Sequence, residues 1–421
     1  MNRRMALSGA LVVLTLLAVA CAGPTPNRDE LVWAVGGAEA QPGGSHHDTV
    51  EMWNQLHPNG PKVRIERLPA SSDDQRQQIS LELNAQSPNF DILTLDVIWT
   101  GEFAENGWLE PLEDLRQQLE KVSFPGLFQS ATWNKTLWAA PYSGSAGFLY
   151  YRTDLVDQPP RTWDELKRVG MEAGRRAGIA SFVGQGAQYE GMVVNFLEYF
   201  WGAGGDLFDK DGTKVVFQEG PALKALDFMR TAQQDGFYAP GFNTMQEDDA
   251  INAFQSGNAV FMRNGPHAYS LMSGEDPRNP SVVAGKFCIA PLPTFDGKGA
   301  VSALGGANLA VSTFSRKKDL AKEFVRFAST NPDVQRNLGR RSGAPAMASV
   351  YGDLAGDPVM ALLGRILLDA KPRPPVPEWS AISNQIQKEV FPAYNGQRDP
   401  KAAVAAIRAF LESTVSKARS S

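Results

Sequence analysis

Leu31-Val-Trp-Ala-Val35, Lys62-Val-Arg-Ile-Glu66 and Phe90-Asp-Ile-Leu-Thr-Leu95 set the architecture. Each is a short apolar or alternating run of the kind that fills a strand. Between the first two lies Asp48–Leu56, a helical stretch stopped by His57-Pro-Asn-Gly60. Between the second and third lies a helix from about Asp73 to Gln86, ended by Pro88-Asn89. Parallel neighbours need a crossover, and a helix is the usual one. The β-α-β-α-β order therefore predicts an α/β domain with a parallel sheet.

Downstream, a second region starts near Leu137-Trp-Ala-Ala-Pro-Tyr142, with a strand expected at Phe148–Tyr151. Thr162 has the chemistry of an N-cap, with Glu165 at the third helical position behind it. Further helices are expected over Gly191–Phe200, Pro221–Asp235, Ala250–Ser256 and Lys317–Ser329. Strands are expected at Ala259–Met262 and Ala307–Val311, and the tail from Pro375 reads as mainly helical. No internal repeat is visible. The length of 421 residues allows one large or two medium domains.

Hydrophobic content of 43% and charged content of 21% describe an ordinary globular chain. The net charge of −5, without an extended basic patch, argues against a nucleic-acid partner, because phosphate neutralisation needs many Lys or Arg gathered on one face. The N-terminus is different. Arg3 and Arg4 precede an uncharged apolar run, Met5–Ala20, and then Ala18-Val-Ala-Cys21. That is a secretory leader in outline. The stretch resembles a bacterial lipoprotein signal, which implies removal of residues 1–20 and acylation of Cys21, with residues 21–30 as a tether. Ala18 stands where such signals usually carry Leu, and the Arg3-Arg4 pair also fits twin-arginine export. No other segment has the ~18 apolar residues of a membrane span. Cys288 is the only other cysteine, so no disulfide joins two mature thiols. It lies in the apolar run Lys286-Phe-Cys-Ile-Ala290, where a buried, inert thiol is expected.

Several runs share an order and spacing with a known family. They are Phe90–Thr100, Phe103-Ala-Glu-Asn-Gly-Trp-Leu-Glu-Pro-Leu112, Trp138-Ala-Ala-Pro-Tyr142, Leu149-Tyr-Tyr-Arg-Thr-Asp-Leu155, Glu190–Tyr199 and Leu304-Gly-Gly306. Over nearly the whole chain after the leader, the sequence resembles the extracellular sugar-binding proteins of ABC importers, especially the maltose/trehalose branch. The resemblance implies a two-lobed periplasmic-binding-protein fold, α/β in both lobes, with a ligand cleft and a hinge. It places residues 31–141 and 297–343 in the N-terminal lobe, and 142–296 and 344–421 in the C-terminal lobe. It implies a sugar ligand, ABC permease subunits as partners, a monomer anchored on the outer face of the cell membrane through Cys21, and neither cofactor nor metal.

A sugar offers hydroxyls at its rim and apolar C–H faces, so its site needs carboxylates or amides and an aromatic plate. Asp96 closes the third strand, where α/β folds bind ligands and where the family has a sugar-binding aspartate; a helix N-cap is its other reading. Glu39 follows Gly36-Gly37, as a ligand contact or as a solvated loop charge. Glu247 matches an acidic position of the family, and equally suits the start of a helix. Gly305 and Gly306 permit close backbone approach or a tight turn. Tyr142, Trp201 and Trp379 are the candidate plates.

The chain also departs from its relatives. Ser145 stands where many have Asp or Asn, Asn264-Gly265-Pro266 where many have Asn-Trp-Pro, and Met347 where many have Arg. Losing an indole removes ~150–250 Å² of burial potential, so either the pocket is wider at Ser145, Gly265 and Met347 and takes a bulkier ligand than plain trehalose or maltose, or another residue fills the space. The rival class is a secreted glycoside hydrolase, but no pair of acids stands out by spacing, and no Gly-x-Ser-x-Gly elbow or phosphate loop occurs. His46-His47 are adjacent rather than at helical i, i+4 spacing, a weak pattern for a metal.

Overall fold

The computed structural model describes residues 30–37, 39–69, 72–209, 214–274, 280–299, 301–341, 343–374 and 376–418. The leader, Cys21 and all of the tether except Glu30 lie outside the described residues. The strands in chain order are β1 (Glu30–Val35), β2 (Lys62–Arg67), β3 (Ile92–Asp96), β4 (Thr132–Trp133), β5 (Thr136–Leu137) and β6 (Ala140–Ala146). Then come β7 (Phe148–Arg152), β8 (Ala180–Val183), β9 (Ala259–Asn264), β10 (Phe287–Ala290), β11 (Ala303–Val311) and β12 (Lys371–Pro372).

They form two main sheets, one per lobe. The first runs β12-β11-β3-β1-β2, with β6 on β11; the second runs β10-β7-β9-β8. β1 is parallel to both β2 and β3, with Trp33 opposite Ile65 and Ile92. The crossover helices are Ser45–Leu56 and Ser72–Asn84. Strand β3 is covered on both faces, which is why Ile92, Leu93 and Leu95 form an unbroken apolar run and are completely buried. Because β1 lies between β2 and β3, the loops leaving β1 and β3 diverge and open a crevice at the carboxyl ends of the strands. Glu39 and Asp96 stand on those loops.

The sheet is mixed rather than purely parallel. β11 returns from late in the chain and pairs antiparallel with β3, Asn308 opposite Leu95. It also pairs with β6, Gly305 opposite Ser145. Through their pairing with β11, Tyr142–Ala146 and Lys371–Pro372 join the first sheet.

Local signals explain the other elements. Thr162 Oγ1 accepts from the backbone N–H of Glu165 at 3.1 Å and starts the helix Trp163–Ala177; Gly178, at φ +70°, ends it. The helix Glu190–Gly202 is buried along most of its length because it packs under β11 and against the helices Glu219–Gln234 and Trp379–Tyr394. The tail forms Trp379–Tyr394 and Pro400–Ala418. Cys288 corrects another expectation. Its strand is the edge of the second sheet, alternation turns the thiol outward, and it is exposed. No helix among the described residues is long and apolar enough to cross a membrane.

Among the described residues the chain passes between the lobes three times: at Gly147 between β6 and β7, between β10 and β11, and after β12.

Candidate functional site

Asp96 stands where two recesses meet. One, of about 800 Å³, is lined by Glu39, His46, Ser143, Ser145, His267, Gly306 and Arg341, among others. The other, of about 650 Å³, is lined by Arg76, Trp99, Glu102, Trp108, Glu190, Trp379 and Ser383, among others. Both draw walls from the two lobes, and each is of the size that holds a small organic ligand.

The Asp96 carboxylate is held from one side. Oδ1 accepts from the backbone N–H of Ile98 at 3.1 Å and from Arg373 Nη2 at 3.4 Å. The first bond makes a turn ahead of the helix Thr100–Glu105 rather than capping it. No protein donor reaches Oδ2 among the described residues, so that oxygen remains free to accept. Recessing the group raises its pKa, Arg373 and the Ile98 amide pull it back, and the Glu39 charge raises it further. Glu39 is also pushed up by burial, although half of its side chain stays open to the recess. Its neighbour His46, 3.8 Å away, is forced down to about 3 by burial and then by the His47 charge, so it is neutral at physiological pH and makes no ion pair there. His46 Nε2 has no hydrogen-bond partner among the described residues.

Arg373 links the lobes. Its guanidinium is buried, touches Asp96 on the first sheet, and donates from Nη1 to Glu190 Oε1 at 2.7 Å on the other side of the cleft. Glu190 also accepts from Trp379 Nε1 at 3.1 Å and from the Ser383 hydroxyl. Glu102 takes both Arg76 nitrogens, at 2.5 and 3.0 Å, and the Ser380 hydroxyl at 3.2 Å, which makes a further bridge between lobes. Of these carboxylates Asp96 has the most unused acceptor capacity.

The other sequence candidates divide. Glu39, Ser145 and Gly306 line the recesses; Trp379 borders the smaller one but is 1% exposed with its Nε1–H on Glu190, which corrects the expectation of an aromatic plate there. Gly306 has φ +124°, and a Cβ there would sit 2.2 Å from the Ser143 carbonyl, so no other residue fits. Gly305 meets Ser145 at an ordinary 3.4 Å. Glu247 begins the helix Glu247–Gln255 and sends its field onto Tyr189 and His267 rather than lining either recess. Four more expectations are corrected. Tyr142 is completely buried, edge-on to Trp33, with its hydroxyl on Thr49. Trp201 is buried under Lys371. Asn264 is completely buried and spends its amide on the Glu247 carbonyl and the Gly265 N–H. Met347 is core, and its side of the recess is formed by Arg341, Gly343 and Ala344.

Gly265 does not leave an empty place. A Cβ there would lie 3.0 Å from His267 Nδ1, so the imidazole fills part of the volume an indole would take. His267, Arg341, Glu190, Arg373, Arg76 and Glu102 were not legible as site residues. Glu190 offered one signal, as the acidic start of a run shared with the family, and Arg373 another, as a cation between two prolines in Lys371-Pro-Arg-Pro. No group of residues suited to hold a metal occurs among the described residues.

The raised carboxylates predict opposite pH responses. In the free protein, an acid whose folded pKa lies above its ordinary value (3.8 for Asp, 4.5 for Glu) costs stability as pH rises through that interval. A ligand hydroxyl donated to ionised Asp96 needs the deprotonated form. Acidification through the raised pKa is therefore expected to weaken ligand binding while relieving these two groups' cost in the free protein. Melting and titration series across pH 4–7 check both signs.

Residues 35–335 match the family described as bacterial extracellular solute-binding protein. A probable ABC transporter-binding protein of Deinococcus radiodurans is 30% identical over 374 residues, covering 84% of this chain and 86% of that one. The maltotriose-binding protein of Pyrococcus abyssi is 26% identical over 368 residues, covering 80% and 76%. The maltose-bound structure of T. maritima MalE3 superposes with a TM-score of 0.81 at 34% identity, over 91% of this chain and 99% of that one. With the family match spanning more than half of the chain, and a relative 30% identical over 84% of it, the chain belongs to the bacterial extracellular solute-binding protein family.

Proposed function

We propose that this chain is the substrate-binding component of an ABC sugar importer, anchored outside the cell membrane by lipid on Cys21 and working as a monomer. Its ligand is a disaccharide, an oligosaccharide or a glycoside, of trehalose or maltose type or bulkier, which it delivers to the permease. One observation carries the reading. Asp96 has an unused carboxylate oxygen at the junction of two recesses between the lobes, where a ring hydroxyl finds a charge-assisted acceptor. Relatives that bind maltose and maltotriose support the same chemistry. The larger recess, walled by Ser145 and Gly306, suits a ligand bulkier than a plain disaccharide. Glu39, His267 and Arg341 supply polar groups there.

The lobes divide near residues 31–146 with 303–372, and 147–302 with 373–421. A ligand bridging both favours their closure through its differential contacts. A thermal-shift panel of mono-, di- and oligosaccharides tests the function. A bound ligand at a hundredfold excess over Kd is expected to add ~2.7 kcal/mol of stability and raise the Tm. A broad panel with no shift contradicts sugar recognition.

A further inference from the structure

The helix Glu190–Gly202 is tied to every segment that passes between the sheets. Near its middle, Glu198 is 2% exposed and holds Arg263 of β9 through two bonds, Nη2 to Oε1 at 2.6 Å and Nε to Oε2 at 2.9 Å. The same Oε1 accepts the backbone N–H of Ala303, the first residue of β11, at 3.1 Å. Gly147, the first passage, lies against this pair: a Cβ there would stand 2.7 Å from Arg263 Nη2 and 2.8 Å from Glu198 Oε1. The Gly147 carbonyl accepts the Ser302 hydroxyl at 2.6 Å, so the first two passages are also bonded to each other. The third is held at the helix ends, by Arg373 on Glu190 and by Lys371 over Trp201.

Releasing the guanidinium would leave two buried charges unpaired, and releasing the Ala303 amide would leave a buried N–H unpaired, so both contacts resist opening. Lobe motion that keeps these bonds must turn about them, with the backbone change taken up in neighbouring residues such as Gly147. We propose that Glu198 and Arg263 form the pivot of lobe closure, positioning residues that set the angle between the lobes without touching the ligand. The inference rests on the two-lobed closure described above, and not on which sugar is bound.

The test reads the angle directly in sugar-free protein. Spin labels are placed at Gln55 and Glu172, exposed positions on helices of the first and second lobes, with Cys21 and Cys288 replaced by serine. Gly147→Ala pushes a methyl into the ion pair, Glu198→Gln removes its charge, and Ser302→Ala is a milder variant should either fail to fold. The expected result is an inter-label distance distribution displaced or broadened by several ångström relative to the parent. Distributions that superimpose on the parent in every folded variant overturn the proposal, and so does a lowered Tm with unchanged distances, which marks the pair as a stability element alone. Because no sugar is present, a failure of sugar recognition leaves this test standing.

Discussion

Asp96→Ala is expected to weaken sugar binding by about tenfold to a hundredfold while the fold survives. A hydrogen bond to a charged acceptor contributes ~1.5–3 kcal/mol, and each 1.4 kcal/mol is a tenfold change in Kd. The fold should tolerate the change because Asp96 sits at a strand end, recessed at some cost to its ionised form, and among the described residues its carboxylate is held only by the Ile98 amide and Arg373. Asp96→Asn, which keeps the shape and one acceptor, should lose less. Titration calorimetry with circular dichroism separates affinity from folding. Unchanged affinity in Asp96→Ala would place the sugar elsewhere.

Arg373→Met should act mainly on stability. It keeps the length of the side chain and removes the cation that faces Asp96 and Glu190. Breaking a fully enclosed pair from one side costs ~3–5 kcal/mol. Here the carboxylate side chains keep 31% and 22% of their surface, so solvent screens part of the repulsion and the expected loss is about 2–3 kcal/mol at neutral pH. The sign with pH is informative. Without Arg373 the ionised form of Asp96 is disfavoured further, so the loss should shrink as the pH falls and that group takes up a proton. Denaturant unfolding at two pH values checks it, and a loss independent of pH would mean that Arg373 matters through packing alone.

The two kinds of residue in this cleft differ in how far the sequence exposes them. The β1–β3 unit is readable because both faces of β3 are buried and the helices between strands carry their own stops. The entry of β11 beside β3 is not readable, because Ala307 meets Asp96 only when chain from the far lobe returns. Asp96 and Glu39 are visible as acids just after strands. Glu190 and Arg373 are far apart in sequence and acquire their meaning from the lobes being brought together. Aromatic identity was a poor guide. Tyr142 and Trp201 have the chemistry of plates, but strand and helix faces decided their direction, and both face the core. Gly265 shows the converse, since a position that looks vacant in sequence is partly occupied by His267, two residues on.

The most direct measurement is a crystal structure with the sugar that gives the largest thermal shift. The ligand is expected in the cleft, with a hydroxyl within hydrogen-bond distance of Asp96 Oδ2 and contacts from both lobes. A sugar bound outside the cleft, or within it but away from Asp96, would contradict the role given to Asp96.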